Sequence, residues 1–394
     1  MRTGSLRIIG AQVWNGERFE ARDVHIADGR VSDAPADDAE VLDGSGGWLV
    51  PGLIDAHFHA YATSMDGLEN ERGPLSYTAI NGSLRLAAAV RRGFTTVRDV
   101  AGGDIGLARA VDADLFPSPR YHFTGPALSQ TGGHGDPRSA HVDLCFSHGH
   151  MCEVVDGVDA LRLAVRDRLR TGAHAIKVMA SGGVFSLTDP IRVPQYSPEE
   201  LRAVVEEAER RGSYVAAHAY SSEAVRHSIE NGVRSIEHGN LIDAETAALM
   251  AEAGAFLVPT LAAYDAMDRR GAALGLNATS LAKNAEVLSK GQDAARLALA
   301  AGVRVGFGTD LMGDLEDDQL CGVRLQVEAI GAAETLRSMT AVNADLIGDE
   351  GLGHLNAGAY GDAVLLAGDP ITDPSALWEQ PARRAVVRGG VVLS

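Results

Sequence analysis

Six residues of types that bind metal ions stand at the ends of short apolar runs. The run Pro51-Gly52-Leu53-Ile54-Asp55-Ala56-His57-Phe58-His59 ends in His-x-His. Residues two apart on a β-strand face the same side, so His57 and His59 present two imidazoles together. That is half of a divalent-metal site. Four more possible ligands follow: Lys177 in Ala175-Ile176-Lys177-Val178-Met179, His218 in Tyr214-Val215-Ala216-Ala217-His218, His238 in Ser235-Ile236-Glu237-His238-Gly239, and Asp310 in Val305-Gly306-Phe307-Gly308-Thr309-Asp310. Only three of the chain's 35 basic residues are lysines. One of the three lying inside an apolar run reads as a placed group rather than a surface charge. Strands that repeatedly deliver a polar residue at their C-terminal ends are how a (β/α)8 barrel builds an active site.

The elements needed to position these groups are legible. Strand-like and helix-like runs alternate, the pattern of βα units. The eight expected strands lie near 49–56, 94–99, 120–126, 175–180, 213–218, 234–238, 255–261 and 303–309. The clearest helix lies between the fourth and fifth strands. Ser197-Pro198-Glu199-Glu200 is a capping box with proline in the first turn, Gly212 ends the helix, and Leu201, Val204, Val205 and Ala208 form its inward stripe. Two long loops, about 128–156 and 181–196, are expected to shape a substrate pocket. Short strands separated by Asn15-Gly16 and Asp28-Gly29 precede the barrel pattern, and further short strands follow it.

These residues resemble those of the amidohydrolase superfamily, metal-dependent hydrolases on a TIM barrel. Ile176-Lys177-Val178-Met179-Ala180-Ser181-Gly182-Gly183 and Thr131-Gly132-Gly133-His134-Gly135-Asp136 resemble its Xaa-Pro dipeptidase or imidazolonepropionase-like branch, which includes N-acyl-amino-acid hydrolases and ochratoxin-cleaving amidases. The resemblance implies an α/β fold: a barrel over 51–350 and a small β-sandwich formed by 1–50 and 351–394. It also implies the binuclear subtype, with His57, His59 and Asp310 on one metal and His218 and His238 on the other. Lys177, carboxylated by CO2, would bridge the two as a carbamate. Zn is the first expectation, with Mn, Co or Fe as alternatives. A hydroxide bridging the metals would attack an amide carbonyl, and Asp310 would shuttle its proton to the leaving amine. His134 and Tyr220 are expected to contact the substrate carbonyl or carboxylate. Arg192, chosen on location alone, is a further carboxylate contact.

Other readings bound this one. The same metal machinery serves lactones, carbamates and phosphoesters. Deaminases and cyclic-amide hydrolases of the superfamily typically lack the strand-four lysine, so Lys177 argues against them. Full occupancy of the six positions argues against a non-catalytic scaffold. A net charge of −18 disfavours nucleic acid and anionic membranes. Three cysteines and an N-terminus without an apolar core point to the cytoplasm. A small-molecule substrate and a homo-oligomer are the expected partners. The second His-x-His, His148-Gly149-His150, reads as loop. Glu237 is expected to face away from His238 and serve a structural pair. The acidic stretch Asp310-Leu311-Met312-Gly313-Asp314-Leu315-Glu316-Asp317-Asp318 is expected at the pocket rim, where it leaves a substrate with a basic group open.

Overall fold

The computed structural model describes residues 3–139, 141, 144–186, 189–379 and 384–393. Ala140, Val142 and Asp143 of the first long loop, and Leu187 and Thr188 of the second, lie outside the described residues. Parallel strands alternating with helices form the barrel. In chain order the strands are Leu53–Phe58, Phe94–Asp99, Arg120–Phe123, Ile176–Met179, Val215–Ser221, Ser235–Leu241, Phe256–Val258 and Arg304–Val305. The third resumes after a break at Gly125-Pro126 as Ala127–Ser129, and there Leu128 pairs with Val178 of the fourth. The ring closes between its ends. Ala56 N–H donates to Phe307 O at 2.9 Å, and Asp310 N–H donates to His57 O at 2.8 Å. All of these strands but the third and the eighth are buried throughout nearly their whole length, which is why most read as apolar runs rather than alternating ones.

The stretch expected as one strand over 49–56 is two. Trp48–Pro51 pairs with Gln12–Trp14 and with Ala363–Leu366, and so belongs to the terminal unit. The barrel begins after Gly52. A β-carbon on Gly52 would fall 2.0 Å from Thr95 Oγ1, so the chain passes too close to the second strand for any side chain. The apolar run crosses this junction unbroken and hides it. The two ends of the chain make two sheets. One contains Leu6–Ile9, Val24–Ala27, Arg30–Ser32 and Glu40–Asp43. The other combines strands from both termini. Leu6, Ile8, Val13, Ile26, Leu49 and Val387 are buried between them.

The helix Pro198–Glu209 forms as expected. Glu200 N–H donates to Ser197 Oγ, and Ser197 N–H donates back to Glu200 Oε2 at 2.8 Å. Leu201, Val204, Val205 and Ala208 pack into the barrel's outer core. Among the described residues no helix is long and apolar enough to cross a membrane.

Candidate active site

The six expected ligands line one cavity of about 370 Å³ at the C-terminal ends of the barrel strands. His57 and His59 face the same way, with ring centres 5.0 Å apart. His59 Nε2–H donates to Asp310 Oδ1 at 2.8 Å, and His57 Nε2 lies 3.4 Å from the same oxygen. Donor atoms of His57, His238 and Asp310 lie within 4.8 Å of one another. Gly308 permits this approach, because a β-carbon there would fall 2.5 Å from His57 Cβ.

Backbone conformation aims two of these groups. His238 and Asp310 have φ of +77° and +55°, the left-handed region that non-glycine residues enter at a cost and that clusters at functional sites. This also accounts for Glu237. Strict alternation would turn Glu237 away from the side that His238 serves. The left-handed turn at His238 brings its ring to the site as well, while Glu237 reaches the barrel interior beneath. There it accepts from His57 Nδ1 at 2.6 Å, from Arg98 Nη2 at 2.7 Å and from Ser235 Oγ at 2.6 Å. The expected structural pair is real, but Glu237 also fixes the His57 ring. Burial opposes its ionisation, and Arg98 and His57 overcome that and hold its carboxyl well below the usual range.

The remaining imidazoles are held similarly by one nitrogen. His238 Nδ1 lies 2.8 Å from both Thr260 Oγ1 and Tyr264 Oη, and His218 Nε2 donates to Gly182 O at 3.1 Å. Burial keeps both rings well below the ordinary histidine pKa, aided at His218 by neighbouring basic groups and opposed at His238 by the Asp310 carboxylate. They are therefore neutral and able to donate a lone pair. At His59 burial is outweighed by the hydrogen bond to Asp310 and by the nearby Asp99 carboxylate, 3.9 Å from Nδ1, which push the pKa up to about 9. His59 Nδ1 has no hydrogen-bond partner. Burial pulls Lys177, 2% exposed, down to about 8. That shift amounts to roughly 3 kcal/mol in favour of the neutral amine. Tethered imidazoles and an ionised carboxylate together fit a divalent-metal centre.

Of the expected substrate contacts, two lie in the cavity. The His134 ring stacks on His218 at 4.3 Å, and a β-carbon on Gly183 would collide with it. Tyr220 is 3% exposed, stacked on His238, and accepts from Tyr264 Oη at 3.1 Å. It belongs to the inner wall rather than the mouth. Arg192 is a correction. Its side chain is half exposed, pairs with Glu286 on the outer helix Ala278–Ala300, and does not line the cavity. Arg138, in the loop after strand three, does line it, held by Asp136 through Nε at 2.8 Å and Nη2 at 2.6 Å. It was missed in the sequence although it stands two residues beyond the Thr131–Asp136 motif. The acidic stretch is also a correction. Glu316 and Asp317 pair with Arg92, and Asp318 pairs with Arg269 and Arg270. None of these acids lines the cavity.

Comparison with known proteins agrees with this geometry. Residues 48–393 match the model of the Amidohydrolase family. The ochratoxinase of Aspergillus niger is 32% identical over 368 residues, covering 87% of this chain and 75% of that protein. The crystal structure of a prolidase complexed with N-methylphosphonate-L-proline superposes with a TM-score of 0.95 at 41% identity, covering 99% of each chain. That of a Xaa-Pro dipeptidase with methionine bound in its active site gives 0.88 at 28% identity, covering 99% of this chain and 100% of the other. The chain belongs to the amidohydrolase family, in the branch of the Xaa-Pro dipeptidases and ochratoxinase, and is a hydrolase of amide bonds.

Proposed function

We propose that the protein is a two-metal amidohydrolase that cleaves a dipeptide, an N-acyl amino acid or a related aryl amide. The observation that carries this reading is the convergence of all six donors on one cavity. His57, His59 and Asp310 would hold one divalent ion and His218 and His238 a second. Lys177 would join them as a carbamate, for which its buried, readily neutralised amine is suited. Zn suits the mixed imidazole and carboxylate set first, and Mn, Co or Fe also fit. When bound, such ions polarise the scissile carbonyl and make a strong oxygen nucleophile available at neutral pH.

The chain's own residues supply the rest. Asp310 is held ionised by His57, His59 and His238 against the effect of burial, so its carboxylate can take a proton and return it to the leaving amine. His238 Nδ1–H can donate to Tyr264 Oη, which donates to Tyr220 Oη. That order leaves the Tyr220 proton free for a substrate oxygen. His134 sits beside His218, where it can hydrogen-bond the carbonyl, and Arg138 is placed to receive a substrate carboxylate. The prolidase and dipeptidase relatives support peptide-like substrates, and the ochratoxinase supports aryl amides. The three unpaired cysteines suit a cytoplasmic setting. Tyr77, Ile80 and Leu84, exposed on the helix Leu75–Arg91, support a homo-oligomer.

Three outcomes are expected. Metal-loaded protein should release free amino acid from a panel of dipeptides and N-acyl amino acids. No release from any member would turn the search to lactones, carbamates and phosphoesters. Asp310→Asn should keep the fold by circular dichroism while kcat falls by about 10²–10⁴-fold, and a near-normal rate would remove its proton role. Glu237→Gln should weaken metal retention against a chelator by roughly 10–100-fold, whereas unchanged retention would mean that His57 needs no such anchor.

A further inference from the structure

The cavity wall contains a carboxylate that the reaction above does not use. Glu71 lies at the end of the short helix Gly67–Arg72, which follows the first barrel strand, and it is 6% exposed. Its Oε2 accepts from Met151 N–H at 3.0 Å and Cys152 N–H at 3.1 Å. The loop that supplies these donors passes directly over the carboxylate, so that a β-carbon on Gly149 would fall 2.0 Å from Oε2. His150 Nε2–H donates to Gly73 O at 2.7 Å and ties the loop to the end of the helix. The second His-x-His motif thus frames a held acid. Burial pushes Glu71 up to about 7, and the two backbone N–H groups pull the other way.

Glu71 differs from the other acids of the cavity. Asp136 is engaged by Arg138 through two hydrogen bonds, Asp310 belongs to the metal cluster, and Asp66 is exposed and caps the helix. Among the described residues no lysine or arginine pairs with Glu71. The nearby wall includes Leu68, Ala101 and Met151. Cys152, whose N–H holds Glu71, lines the same cavity as Lys177. His148 is the basic side chain that acts on Glu71, and its Nδ1 lies 3.8 Å from Glu153 Oε2. A fixed, buried acid with apolar neighbours and no lysine or arginine of its own among the described residues is matched by a substrate cation. Arg138, on the same cavity, is matched by an anion. A dipeptide carries both.

We propose that Glu71 binds the α-ammonium group of a dipeptide substrate and selects free dipeptides over their N-acylated counterparts. This rests on the amide-hydrolase reading and narrows its substrate class. The probes are a phosphinic isostere of a dipeptide, which is not cleaved, and its N-acetyl form. Both are titrated calorimetrically into the metal-loaded full chain. Wild-type protein should bind the free-amine probe at least ~10-fold more tightly, as expected for a desolvated charge pair. Glu71→Gln keeps an oxygen for the Met151 and Cys152 N–H groups. It should reduce that preference to within about twofold and leave the N-acetyl affinity unchanged.

Equal binding of the two probes by wild type overturns the proposal, and that comparison needs no variant. So does a preference that survives in Glu71→Gln, or an equal loss of both probes, which marks a purely structural acid. Wild-type protein that binds neither probe contradicts the amide-hydrolase reading and this proposal with it.

Discussion

The buried ion pair between Arg98 and Glu237 is the interaction on which the site rests. Both side chains are fully buried and meet at 2.7 Å. Arg98 also donates to Ala56 O at 2.6 Å and to Tyr214 Oη at 3.2 Å. It therefore ties the second strand to the first, and to the residue that begins the fifth. Glu237 carries the connection from the sixth strand to His57. Removing either partner would leave an uncompensated charge in the barrel, typically a cost of about 3–5 kcal/mol. The pair is thus both a structural tie and the device that leaves His57 Nε2 for the cavity.

Above this pair the site holds a concentration of groups that are poorly satisfied by one another. Four imidazoles, an ionised carboxylate and a buried amine share one cavity. His59 and Asp310 satisfy each other in part, and among the described residues Lys177 is felt electrostatically by Glu237 and Asp310 without a hydrogen bond to either. Divalent ions would compensate the carboxylate and use the neutral imidazole lone pairs, while a carbamate would turn Lys177 from a repelled cation into an attracted anion. Left-handed backbone at His238, Thr260 and Asp310 shows that the fold spends conformational energy to aim this set.

The barrel and the six polar groups at its mouth were legible because each stands in or at the end of an apolar run, and burial on both faces makes such runs conspicuous. The capping box at Ser197 and Glu200 was legible because its two hydrogen bonds are local. The start of the barrel was not, since Leu49-Val50 and Leu53-Ile54 read as one run across Gly52. Glu237 was assigned only half its role, because alternation fails at a residue with φ of +77°. Arg192 and the acids from Asp314 to Asp318 were misplaced for another reason. A charged loop residue carries no local sign of its partner, and their partners are remote in sequence or on other elements. Arg138 and Glu71 were missed for the same cause, since Arg138 reaches the cavity from a long loop and Glu71 from a short helix, and the path of each is set by tertiary contacts.

The central claim is that Lys177 completes a site for two ions. The most direct test is metal content per chain by atomic emission, on protein reconstituted with zinc in the presence of bicarbonate. Wild type should hold two ions. Lys177→Ala should hold one or none and recover metal when a short carboxylic acid is supplied. A single ion in wild type, or two ions in Lys177→Ala without the added acid, would contradict the account.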